Sequence, residues 1–175
     1  MTTAAQHRIF LIGYRGTGKS AVAGLLAARL GRDLLDADDE IERRAGKSIA
    51  AIFAKDGEPA FRELEAQVVA DLCQQTGTVV ALGGGAVLRD DNRAAIRAAG
   101  PVVWLTASVD TIAARLAADD ATTSRRPNLT PAGGRAEIQA VLAERTPLYR
   151  ACATLVVDTE GKTVDQVVDQ IVAQL

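Results

Sequence analysis

Residues Gly13-Tyr14-Arg15-Gly16-Thr17-Gly18-Lys19-Ser20 match the pattern GxxxxGK[ST], the spacing that cradles a polyphosphate. Glycines at these positions let backbone N–H groups turn inward around an anion, Lys19 can reach the β- and γ-phosphates, and Ser20 can ligate magnesium. The nucleotide-binding set is therefore Gly13, Gly16, Thr17, Gly18, Lys19, Ser20 and Ala21, and the expected ligand is a nucleoside triphosphate such as ATP. Next come the acids of Leu35-Asp36-Ala37-Asp38-Asp39-Glu40. One carboxylate there can hold Mg2+ while another accepts a hydrogen bond from an attacking hydroxyl and orients it toward the γ-phosphate. The same acids are also good helix caps, and Asp39 and Glu40 fit only that role. Arg62 and Glu65 stand three apart, close enough on a helix for the carboxylate to fix the arginine; alone, such a pair is equally a surface salt bridge. Gly83-Gly84-Gly85 provides a surface without side chains, suited to close ligand approach or simply to a tight turn. Arg145 precedes Pro147, where a helix is expected to end, and a cation in a last helical turn is favourable for structural reasons alone.

These residues need elements to hold them. Ile9-Phe10-Leu11-Ile12 reads as a buried strand running into the glycine-rich turn, with a helix over 21–30 behind it. Four more short apolar runs, at 33–36, 78–82, 101–105 and 154–157, read as strands. Helical spacing fills the gaps at 61–74, 93–99, 109–118, 136–145 and 164–172, and Asp56-Gly57-Glu58-Pro59 has the makings of a helix start. Alternating strands and helices predict an α/β fold with a parallel sheet covered on both faces. In such sheets ligands sit at the carboxyl ends of the strands, where both glycine-rich turns fall. Residues 118–134 break the pattern: a polar, glycine-containing stretch between two helices, suited to a mobile lid or a solvated connection.

Composition narrows the remainder. With 175 residues, the chain suits one domain. Hydrophobic residues make up 48% and charged residues 24%, the balance of a globular protein with a sizeable core. A net charge of −2 argues against a general nucleic-acid binder. Cys73 and Cys152 lack metal or redox spacing and are expected to be buried thiols; His7, the sole histidine, is expected to be solvated. Neither a secretory leader nor a membrane-spanning run is visible, so a cytoplasmic protein is expected, and with no long apolar seam a monomer.

The motifs together resemble shikimate kinase over nearly the whole chain. The phosphate loop, Asp36-x-Asp38, Gly57-Glu58 with Phe61-Arg62-x-x-Glu65, the triple glycine, Arg126-Pro127 and Glu144-Arg145-x-Pro147-Leu148-Tyr149 occur in that family's order. The resemblance implies the P-loop NTPase fold of the nucleoside monophosphate kinase type: a five-stranded parallel sheet, a substrate-binding segment at about 37–65 and a lid at 118–134. It implies ATP-dependent phosphorylation of the 3-hydroxyl of shikimate, on the route to aromatic amino acids. Lys19, Asp38 and Arg126 are the implied catalytic residues, with Lys19 and Arg126 on the transferring phosphoryl group. Ser20 and Asp36 would hold Mg2+; Asp38, Arg62, Gly83, Gly84, Gly85 and Arg145 would receive shikimate, the two arginines gripping its carboxylate. Asn128 stands where the family commonly has leucine, and Ala151 where glutamate is frequent. A gluconate or nucleoside monophosphate kinase, and a regulator without catalysis, remain as alternatives.

Overall fold

The computed structural model describes residues 7–119 and 128–175. Five strands, β1 (Ile9–Ile12), β2 (Asp33–Asp36), β3 (Thr78–Ala81), β4 (Val102–Thr106) and β5 (Leu155–Asp158), form one all-parallel sheet in the order β2-β3-β1-β4-β5. The helices are α1 (Lys19–Leu30), α2 (Ala37–Ala45), α3 (Ile49–Lys55), α4 (Gly57–Leu72), α5 (Asp90–Ala99), α6 (Val109–Ala117), α7 (Gly134–Cys152) and α8 (Val164–Val172).

Alternation along the strands divides the core. Phe10, Ile12, Val80, Leu82, Val102 and Trp104 face α4, α5 and α7, whereas Ile9, Leu11, Val79, Ala81, Val103, Leu105 and Val157 face α1 and α8. A third cluster, Tyr14, Ile112, Ile138 and Val141, lies beneath the phosphate loop between α6 and α7. β1 is central and wholly buried, so the loop leaving it is anchored on both sides, by β3 and β4.

The expected strands are all present, three of them shifted by a residue. Two helical expectations are corrected. Helix α7 does not stop at Pro147 but runs through it to Cys152, because Ile138, Val141, Tyr149 and Cys152 form one continuous buried stripe. That packing outweighs the lost backbone donor. Arg145 is thus in mid-helix rather than in a last turn. Helix α3 is additional; Ser48 caps it by accepting from the Ala51 N–H, and Ile49 and Ile52 bury its inner side. The segment 37–65 therefore folds as α2, α3 and the first half of α4. Cys73 and Cys152 are buried, and burial pushes the Cys73 thiol up to about 11, so it is an inert packing group.

Candidate active site

Two cavities of about 310 Å³ each open at the carboxyl edge of the sheet. One is the phosphate loop's. Gly16, Gly18, Lys19, Ser20 and Ala21 line it on one side, and Asp36 and Asp38 on the other. The loop needs its glycines: Gly13 has φ +141°, and a Cβ there would sit 2.5 Å from the Leu105 carbonyl oxygen. Thr17, expected among the nucleotide contacts, has its side chain buried, the hydroxyl donating to the Tyr14 carbonyl at 2.7 Å and shaping the loop from within. Lys19 Nζ lies along the same turn, donating to the carbonyls of Gly13 (2.7 Å) and Tyr14 (2.9 Å).

Asp36 ends β2 and caps α2, its Oδ1 accepting from the backbone N–H groups of Asp38 (2.8 Å) and Asp39 (3.3 Å). The helix-cap reading of this acid is therefore realised, and it fixes the carboxylate at the cavity wall. Hard oxygen donors from Ser20 and Asp36, with Asp38 beside them, suit Mg2+, which takes few protein ligands and completes its shell with phosphate and water. No group of three or more metal-ligating acids, histidines or cysteines occurs among the described residues, in keeping with so sparse a donor set.

The second cavity is lined by Arg62 and Arg145 together with Gly84, Gly85, Glu65 and Phe61. Helix α4 presents Arg62, whose Nη1 donates to Glu65 Oε2 at 2.7 Å while Nη2 pairs with Glu58 at 3.3 Å; its guanidinium also stands 5.0 Å from the Phe61 ring centroid. Glu65 is almost fully buried. Desolvation pushes its carboxyl above the ordinary range, against the pull of Arg62 and Arg145. Arg145 is only 7% exposed, and its Nε has no hydrogen-bond partner among the described residues. A buried guanidinium with an unmet donor at a cavity wall calls for an anion.

The glycines are explained by close approach. A Cβ on Gly85 would overlap the Arg62 guanidinium, and one on Gly84 would meet the Gly13 carbonyl at 3.3 Å and Arg145 Nη1 at 3.6 Å. Tyr149 holds this loop, its buried hydroxyl donating to the Gly84 carbonyl at 2.6 Å and its ring stacked 5.7 Å from Trp104. Gly83, expected beside the substrate, does not line the cavity; its carbonyl accepts from Ala86 in the following 3-10 turn. Asp38 lines the phosphate-loop cavity and not the arginine-lined one. Arg126 lies outside the described residues, as does the rest of 120–127 within the lid.

Sequence reasoning gave no role to Arg15, Glu137, Arg115 or Tyr149. Arg115 braces the phosphate loop, donating to the Gly16 carbonyl (3.2 Å) and to Thr159 Oγ1 (3.0 Å) beyond β5. The available signals were an arginine at a variable position of the loop motif and an acid on the apolar stripe of α7.

The family model described as shikimate kinase matches residues 15–175. A shikimate kinase of Rhodopirellula baltica is 45% identical over 166 residues, covering 95% of this chain and 88% of the relative. A shikimate kinase from Acinetobacter baumannii, solved in complex with shikimate, superposes with a TM-score of 0.89 at 34% identity, covering 96% of this chain and 92% of that one. A gluconokinase from Sinorhizobium meliloti, at TM-score 0.59 and 18% identity over 98% of this chain and 92% of that one, shares the fold alone. With a five-stranded parallel sheet behind a phosphate loop, and these identities along almost its full length, the chain belongs to the shikimate kinase family.

Proposed function

We propose that the protein transfers the γ-phosphoryl group of ATP to the 3-hydroxyl of shikimate, giving shikimate 3-phosphate and ADP. The observation that carries this is Arg145: a buried guanidinium with an unmet Nε, beside an Arg62 already held by Glu65, at the wall of a cavity next to the phosphate loop. A planar carboxylate answers that demand, since each guanidinium fork can donate two parallel hydrogen bonds to it. Gly84 and Gly85 let a small polyhydroxylated ring lie against the backbone.

The chain's own groups then divide the work. Arg62 and Arg145 fix the acid end, turning a ring hydroxyl toward Asp38. Asp38 accepts that hydroxyl's hydrogen bond and sets its oxygen in line with the phosphoryl group. Lys19, at the head of α1, donates to the phosphoryl oxygens as charge builds on them, with Arg126 joining from the lid. Ser20 and Asp36 would hold Mg2+, which would supply charge neutralisation on the phosphates. The segment 37–65 and the lid 118–134 close over the single domain of residues 1–175 and exclude water. No helix among the described residues is long and apolar enough to cross a membrane; a cytoplasmic monomer is the proposed working form.

The test is ADP release with ATP and Mg2+ over shikimate, gluconate and nucleoside monophosphates, with the product's phosphate position read by NMR. Turnover confined to shikimate, with a 3-phosphate product, is expected. Efficient turnover of gluconate or a nucleotide with none of shikimate overturns the reading.

A further inference from the structure

Among the described residues, Arg15 alone lines both cavities. It occupies a variable position of the phosphate-loop pattern, so the motif assigns it nothing. Its Nη2 donates at 2.6 Å to Glu137 Oε2 on the first turn of α7, and the Glu137 side chain is only 1% exposed. The other carboxylate oxygen of Glu137 accepts from the backbone N–H of Thr130, beside Asn128 and Leu129 on the lid-side wall of the arginine-lined cavity.

We infer that Arg15 is a further catalytic residue, contacting the phosphoryl group as it passes from the phosphate-loop cavity to the acid cavity, and that Glu137 is the positioning residue that holds it there. Three points support this. A phosphoryl group in transit must cross the junction of the two cavities, and Arg15 is the described cation at that junction. The group spreads negative charge over its equatorial oxygens there, and a guanidinium fixed beforehand needs no reorganisation to meet it. Glu137 fixes it at a cost: burying a carboxylate and a guanidinium is commonly no more stabilising than an apolar pair of similar volume. A placement maintained at that cost, joined through the same carboxylate to the end of the lid, belongs to function. The inference rests on the phosphotransfer reading above.

The experiment compares Arg15→Met, Arg15→Lys, Glu137→Gln and the double variant Arg15→Met/Glu137→Gln, measuring kcat, separate dissociation constants for ATP–Mg2+ and shikimate, and Tm. A fall in kcat of about 100-fold is expected for Arg15→Met and Glu137→Gln. Arg15→Lys, lacking the fork, should not restore the rate, and the double variant should be no slower than the worse single one. Each substrate bound alone should keep its affinity within about threefold. A single variant can lose stability by stranding its buried partner; the double variant strands none. If the double variant regains both Tm and kcat, the pair is structural and the inference is overturned. It is also overturned if both single variants keep kcat within about threefold of wild type. If wild-type protein phosphorylates no shikimate, the substrate reading fails instead, and the same variants are scored on ATP hydrolysis, where the same fall is expected.

Discussion

Arg62 is placed before any ligand arrives. Glu65 and Glu58 hold its guanidinium from two sides and Phe61 lies beneath it, so little rotamer freedom is left to lose on binding. Arg62→Ala should therefore weaken kcat/KM for shikimate by roughly 100-fold or more, equivalent to about 3–5 kcal/mol, with the ATP dissociation constant unchanged by equilibrium titration. Glu65 supplies a prediction in pH. Burial raises its carboxyl pKa from the ordinary 4.5, so as pH rises the unfolded chain loses that proton first and the folded state is progressively disfavoured. Glu65→Gln does not titrate. Its Tm relative to wild type should climb as pH rises above about 4.5; a relative Tm that falls instead would mean that the pair with Arg62 outweighs desolvation. The Arg62–Glu65 arrangement was legible in the sequence because both partners lie on one helical face, three residues apart. Arg15 and Glu137 are 122 residues apart, and nothing local connects them.

Helix α7 concentrates the site on one stripe. Glu137, Val141, Arg145 and Tyr149 recur every fourth residue and are all buried, so a single rigid rod carries the partner of Arg15, the cavity arginine and the hydroxyl that holds the glycine loop. Proline was misleading here. Read locally, Pro147 marks an end, because it cannot donate to the Ala143 carbonyl; in the fold, the apolar contacts of Tyr149 and Cys152 continue the helix past it. Pro147→Ala restores that donor and should stabilise the protein by about 1–3 kcal/mol in denaturant titration. The same change should weaken shikimate binding, because Arg145 sits within the turn whose backbone hydrogen bond the proline removes. The glycine loop was legible as a surface without side chains, and Gly84 and Gly85 line a cavity, but its immediate reason was not legible. Gly85 makes room for Arg62 itself, so Gly85→Ala should displace the guanidinium and reproduce the Arg62→Ala defect in shikimate KM.

Across the molecule, the parallel sheet gathers both turns at one edge, and this was readable from alternating strands and helices alone. Strand order and the ties between distant elements were not, because they depend on contacts that no local pattern encodes. Arg115 is one such tie, joining α6 to the phosphate loop and to Thr159 after β5. Arg115→Ala should raise KM for ATP about tenfold while leaving the affinity for shikimate alone intact, since only the nucleotide side loses its brace. The stack of Trp104 on Tyr149 has a practical consequence. Trp104 is the only indole in the chain, it is 7% exposed, and its neighbour's hydroxyl bonds to Gly84, which lines the arginine-lined cavity. Its ultraviolet emission should thus change on titration with the acid, an optical gauge of occupancy that needs no label.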